Sequence, residues 1–180
     1  MEYINLYSHI ASELNAGKIV AWVQGRAEFG PRALGNRSIL AHPGLDGMKD
    51  KINSSVKFRE EFRPFAPAIL EECASEYFEY YHPTPYMERV LPIKEEKRKF
   101  LIAVNNVDNT GRLQTVARKD NEHFYNLINE FHKLTNTPVL LNTSFNVMGK
   151  PIVNSVTDIA AVFATSGIDV LVINEYVITK

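Results

Sequence analysis

Cysteine is almost absent: Cys73 is the single one in 180 residues. This excludes an intramolecular disulfide and any zinc or iron–sulfur site built from several thiolates, and it fits a reducing compartment such as the cytoplasm. Long apolar runs are missing too. Stretches such as Ile19 to Val23 and Val170 to Ile173 fall far short of the ~20 residues a membrane-spanning helix needs. Met1 to Asn15 has no basic leader followed by an apolar run, so neither a membrane span nor a secretory signal is expected. Neither charge is in surplus: 20 Lys and Arg against 21 Asp and Glu leave a net charge of −1, which argues against extended nucleic-acid contact. The five histidines, His9, His42, His82, His123 and His132, form no i, i+4 pair and no H-E-x-x-H run, so no metal site is expected. Gly25, Gly30 and Gly35 match neither the dinucleotide fingerprint nor a Walker A loop.

What is present is ordinary globular material, 45% hydrophobic and 23% charged with 9 Gly and 9 Pro, long enough for a core without staples. One domain over residues 1–180 is expected. Ile4, Ile10, Ala11 and Leu14 share a helical face that Asn15 and Gly17 stop. Lys18 to Gln24 and Ser38 to His42 read as strands around a Gly- and Pro-rich loop, Gly25 to Arg37, and Met48, Ile52 and Val56 mark a helix. Phe65 to Leu70 reads as an edge strand because of its proline. A helix over Glu71 to Tyr80 follows, then a loop over Tyr81 to Tyr86 and an exposed charge run over Lys94 to Lys99. Phe100 to Val107 and Arg112 to Arg118 are expected strands, and Phe124, Leu127, Ile128, Phe131 and Leu134 give the clearest amphipathic helix. Pro138 to Asn142 is a buried strand, Asp158 to Ser166 a helix, Asp169 to Thr179 strand-like. Such alternation implies an α/β domain with a largely parallel or mixed sheet flanked by helices.

Charge is unevenly placed. From Arg26 to Arg63 eight bases face five acids, and five of the eight are arginines, among them Arg26, Arg32 and Arg37 in the glycine loop. Planar guanidinium forks suit phosphate and carboxylate, although such arginines also stitch loops to backbone carbonyls. In Lys57-Phe58-Arg59, extended geometry would turn both cations to one side with Phe58 packed behind; Arg63 follows before Pro64. Asn142, Ser144 and Asn146 leave an apolar strand on one side, with Phe145 on the other, a setting for ligand binding beyond a strand end or for a capped turn. Cys73 reads as packing, as do Tyr77, Phe78, Tyr80 and Tyr81. Ser144 lacks the context of an acyl nucleophile.

Taken together, Gln24 to Ala41, Lys57 to Ala68 and Pro138 to Val147 resemble the carboxy-terminal domain of the O-carbamoyltransferases of antibiotic and nodulation-factor biosynthesis. Gly111 to Val116, Phe124 to Ile128 and Asp169 to Ile173 extend the likeness over nearly the whole chain. The resemblance implies a YrdC-like fold in which Lys57-Phe58-Arg59 and Ser144-Phe145-Asn146 stand for the K-x-R and S-x-N pairs of threonylcarbamoyl-adenylate synthases. It implies binding of carbamoyl phosphate and ATP, with Mg²⁺, and formation of a carbamoyl-adenylate. Lys57, Arg63 and Arg32 carry over as the residues of the reaction centre, and Arg112, Asn142, Ser144, Arg59 and Asn146 as further contacts; Arg26 and Arg37 are added to these as donors of the glycine loop. The family pattern departs at Lys150, usually acidic, and at Asn106, often histidine. Family members are longer, so an amino-terminal carbamoyl-transfer domain is an expected partner. A non-catalytic nucleotide- or RNA-binding module on the same fold is the competing expectation. Lys57 and Arg63 are expected to contact phosphoryl oxygens without supporting the fold.

Overall fold

A computed structural model describes residues 5–180; Ile4 lies outside them. Asn5 caps the first helix, α1 (Leu6–Asn15), by accepting from the Tyr7 N–H, and Ile10, Ala11 and Leu14 form its buried face. Strands β1 (Val20–Val23) and β2 (Arg37–Ala41) flank the glycine loop. The short helix α2 (Met48–Ile52) runs into a π-helical turn, Asn53–Lys57. Strand β3 (Ala66–Leu70), helix α3 (Ala74–Tyr77), strands β4 (Arg89–Pro92) and β5 (Thr110–Val116), and helix α4 (Glu122–Thr135) come next. The chain closes with β6 (Val139–Ser144), α5 (Val156–Thr165) and the hairpin of β7 (Val170–Ile173) with β8 (Tyr176–Thr179).

The strands form one eight-stranded sheet in the order β4-β5-β3-β6-β2-β1-β7-β8. It is mixed: β1–β7 and β3–β5 are parallel and the other five pairings antiparallel. Period-2 alternation sends Val20, Trp22, Leu40 and Leu140 to one face, against α1 and the α4 residues Phe124, Leu127, Ile128 and Phe131. Ala21, Val23, Ile39 and Leu141 go to the other face, against Met48, Ile52 and Val56 and the α5 residues Ile159 and Phe163. Both faces are covered, which is why the central strands read as continuous apolar runs. Among the described residues no helix is long and apolar enough to cross a membrane.

Three expectations fail locally. Phe65 to Leu70 is no edge: β3 lies between β5 and β6, and Pro67 is tolerated because pairing with β5 begins one residue later, at Ala68. Phe100 to Val107 is no strand. Glu95–Phe100 and Ile102–Val104 form 3₁₀ turns, held by the Ala103 N–H on the Pro43 carbonyl at 2.8 Å. The partner of β5 is instead β4, whose Arg89 and Pro92 hide it from a pattern search. The helix expected over Glu71 to Tyr80 is a 3₁₀ turn, Glu71–Cys73, continued by the short α3.

Candidate active site

The loop between β1 and β2 is held against the sheet by a carboxylate and two amides. Glu28 Oε1 accepts from the backbone N–H groups of Leu34 and Asn36 at 2.7 Å each and of Arg37 at 3.3 Å. Asn142 on β6 donates to the Ala33 carbonyl at 3.2 Å and to Gln114 Oε1 at 2.7 Å, and Gln114 on β5 donates to the Leu34 carbonyl at 2.9 Å. Gly35 lets the loop meet α4: it has φ 111°, and a Cβ there would lie 2.3 Å from Phe124 Cδ1. Glu28 and Gln114 escape a reading by charge type, because an acid inside a basic segment and an amide inside a strand look incidental. Their spacing to the groups they hold appears only on folding.

Beyond this loop lies a small recess of about 90 Å³, lined by Arg32, Arg59, Arg112, Phe65, Asn142 and Ser144 among others. Three arginines line it, and no carboxylate does among the described residues. Burial, then the charge of Arg32, lowers the pKa of Arg112; burial, then Arg63, lowers that of Arg59, with Glu60 opposing and Arg112 adding. Arg112 Nε and Asn142 Oδ1 are buried there without a hydrogen-bond partner. Polar atoms so placed are rarely left unpaired, and cations so crowded repel one another until an anion lies between them. Next to the recess opens a cleft of about 490 Å³ whose walls include Glu28, Gly30, Ser144, Asn146, Lys150 and Asn154. Ser144 and Pro31 belong to both.

Lys57 does not stand free in this site. It ends the π-helical turn, only 3% exposed, and its ammonium donates to the Ser144 carbonyl at 2.5 Å, Asn146 Oδ1 at 2.9 Å and the Asn146 carbonyl at 3.1 Å. Ser144 Oγ donates to the same Asn146 Oδ1 at 2.7 Å. Burial, with a smaller push from Arg59, brings the Lys57 pKa down to about 7. The K-x-R and S-x-N segments therefore meet, but not by extended geometry. Phe58 adopts a left-handed conformation, φ 50° and ψ 50°, and is 51% exposed rather than packed behind. This turn sends Lys57 inward to β6 and Arg59 to the recess, where Arg59 also lies 4.9 Å over the Phe65 ring.

The remaining residues separate. Arg37 is a stitching residue: it is buried, both terminal nitrogens of its guanidinium donate to the carbonyls of Gln24, Asn36 and Gly25 at 2.9–3.0 Å, and although its Nε is buried without a partner, it lines neither cavity. Arg26 is exposed and lines neither cavity; its carbonyl accepts from Asn36. Arg63 lines neither cavity; its half-exposed side chain lies 3.8 Å from Glu60. Of the two departures from the family pattern, Lys150 lines the cleft and adds a cation to it, whereas Asn106 donates to Thr110 Oγ1 in the turn before β5.

The comparisons with known proteins agree with this architecture. The family model described as Carbamoyltransferase C-terminus matches residues 11–180. Nodulation protein NolNO of Sinorhizobium fredii is 51% identical over 176 residues, 96% of this chain and 26% of that protein. The 3'-hydroxymethylcephem-O-carbamoyltransferase of Streptomyces clavuligerus is 39% identical over 153 residues, 85% of this chain and 29% of that protein. The chain thus spans under a third of the length of these relatives. Among solved structures, full-length HypF in its phosphate- and nucleotide-bound form superposes with a TM-score of 0.60 at 17% identity, over 92% of this chain and 20% of HypF. Sua5 of P. abyssi complexed with L-threonine superposes with 0.59 at 18% identity, over 89% of this chain and 45% of Sua5. At such identities the likeness shows the fold, and it is the YrdC-like one.

Proposed function

This chain belongs to the carbamoyltransferase C-terminal family, and from that premise we propose that its recess and cleft bind carbamoyl phosphate and ATP and form a carbamoyl-adenylate. The observation that carries the proposal is the set of Arg32, Arg59 and Arg112 around a recess that no carboxylate lines among the described residues, in which Arg112 Nε is buried and unpaired. Phosphate and carbamate are anions, and guanidinium donors at a partly buried site neutralise them better than solvated ones. The adjoining cleft has room for a nucleoside.

Water would split carbamoyl phosphate into carbamate and phosphate. A carbamate oxygen would then attack the α-phosphorus of ATP while the bond to the β-phosphate oxygen breaks and pyrophosphate leaves. Carbamate is already a nucleophilic anion and needs no general base. The work falls to positioning and charge neutralisation. Arg112 and Arg59 would hold phosphoryl oxygens in the recess, Arg32 would close it from the loop, and Lys57 would keep Ser144 and Asn146 in place at the mouth of the cleft. Mg²⁺ bound with ATP would supply neutralisation of phosphate charge; among the described residues no group of three His, Cys, Asp or Glu is placed to hold a metal. Transfer to a hydroxyl acceptor belongs, in this reading, to a further domain, since the relatives are much longer than this chain.

The test is incubation with ATP, Mg²⁺ and carbamoyl phosphate. Release of pyrophosphate that requires carbamoyl phosphate and is lost in Arg112→Ala is the expected result. ATP binding without pyrophosphate release would leave a nucleotide-binding module, and absence of both would overturn the reading.

A further inference from the structure

Asn53 was no candidate by sequence, yet it is fully buried and has every side-chain hydrogen bond directed at the segment that carries Arg59. It opens the π-helical turn that Lys57 closes. Its Oδ1 accepts from Arg59 Nε at 2.7 Å, and its Nδ2 donates to the carbonyls of Glu61 and Arg63 at 3.1 Å each. Its own carbonyl accepts from the backbone N–H groups of Phe58 and Arg59. One side chain and one peptide unit thus gather residues 58–63 onto the end of α2.

The consequence falls on the guanidinium. With Nε engaged by Asn53 and one face over Phe65, Arg59 has lost most of its torsional freedom, and the far edge of the fork is turned towards the recess that Arg32 and Arg112 share. Nη2 makes one long contact, 3.4 Å to the Pro64 carbonyl, and Nη1 has no protein acceptor among the described residues. A neutral amide suits this task. A carboxylate at position 53 would also accept from Nε, but it would cancel charge in the cationic site and face the carbonyls of Glu61 and Arg63 without a proton to donate. The π-helical turn serves the same end, since its wider winding buries Asn53 and Lys57 together, one aimed at Arg59 and the other at β6.

We propose that Asn53 is a positioning residue, which pre-orients the Arg59 guanidinium for a phosphoryl or carboxylate oxygen by holding its Nε. Where the anion is ATP, this rests on the function proposed above. Two measurements separate the claims. The first needs no ligand: the Arg59 Nε–H resonance and its solvent exchange are followed by NMR in the wild type and in Asn53→Ala, with Asn53→Ser as the milder replacement. The signal is expected to be protected in the wild type and to exchange at least tenfold faster in either variant. Unchanged protection would overturn the proposal whether or not ATP binds. The second is a binding cycle with Mg·ATP over Asn53→Ser, Arg59→Ala and the double variant, with Arg59→Lys alongside, which keeps the charge but lacks the Nε–H. Pre-orientation requires Asn53→Ser and Arg59→Lys each to weaken binding roughly tenfold, the scale of one charge-assisted hydrogen bond, and Asn53→Ser to add nothing once Arg59 is Ala. Additive losses, or wild-type affinity in Arg59→Lys, would refute it. A wild type that binds no ATP would sink the proposed function and leave the NMR result to decide on Asn53.

Discussion

Lys57 Nζ lies 2.5 Å from the Ser144 carbonyl oxygen, and through this contact the end of a π-helical turn is tied to the end of β6, 87 residues further along the chain. The same ammonium reaches Asn146, and the Lys57 carbonyl accepts from the Met148 N–H at 3.2 Å. A cation expected to be a solvated phosphate contact is therefore also part of the frame. In the proposed function binding and folding are coupled at this residue, and its substitution should affect both.

Lys57→Met keeps most of the volume and removes the donors: the Asn146 carbonyl loses the partner it has in Lys57, while the Ser144 carbonyl keeps the Asn146 N–H and Asn146 Oδ1 keeps Ser144 Oγ. Unpaired buried polar groups cost about 1–3 kcal/mol each, and a domain of this size loses about 2–4 °C in Tm per kcal/mol. A Tm lower by several degrees and weaker ATP binding are expected together, by calorimetry on one sample. An unchanged Tm would return Lys57 to the solvated role that the sequence suggested.

The same residue predicts a pH dependence of stability. Its folded pKa is about 7 against an ordinary 10.5, so between those values the unfolded chain holds a proton that the folded chain has released. Stability contributed by Lys57 should rise with pH across that window and level off above it. Urea melts from pH 6 to 10 on the wild type and Lys57→Met should differ by this slope. Parallel curves would contradict the lowered value.

Arg112→Met should behave in the opposite way to Lys57→Met. Its Nε has no partner to lose, and Arg32 and Arg59 repel it, so Tm should hold or rise slightly. ATP affinity should fall roughly tenfold, with a weaker salt dependence. A fall in Tm without loss of affinity would make Arg112 a structural residue.

Arg37→Ala and Arg26→Ala form a contrasting pair. The first removes three bonds to loop carbonyls, each contributing about 1 kcal/mol, and should lower Tm. The second should change neither Tm nor affinity. Equal effects on ATP binding would restore both as ligand contacts.

Gly35→Ala tests the seating of the loop on α4. With φ 111° and Phe124 atoms 2.3–2.9 Å from the new Cβ, the loop or the helix must shift, an overpacking penalty of about 1–3 kcal/mol in addition to backbone strain. Tm and ATP affinity should both fall, and Phe124→Leu in the same chain should recover part of the loss. No recovery would place the defect in the backbone alone.

Much of this was set by local sequence. The apolar period of α4, the existence of α5, the buried strand before Asn142 and the glycine loop are visible in composition and spacing, because each depends on residues within one or two turns of one another. The long ordered motifs likewise pointed to the family, and Arg32, Arg59, Arg112, Asn142 and Ser144 do share one recess. Tertiary structure decided the rest. Pro67 could enter a central strand only because of where β5 begins to pair, and β4 was found only by its partner. Which arginines line the recess and which bond carbonyls could not be read from residue type, since Arg37 and Arg112 differ only in what folds against them. Asn53 and Glu28 became visible only when the chain six to ten residues further on turned back around them, because a hydrogen bond is specified by distance and direction, and neither exists until the chain is folded.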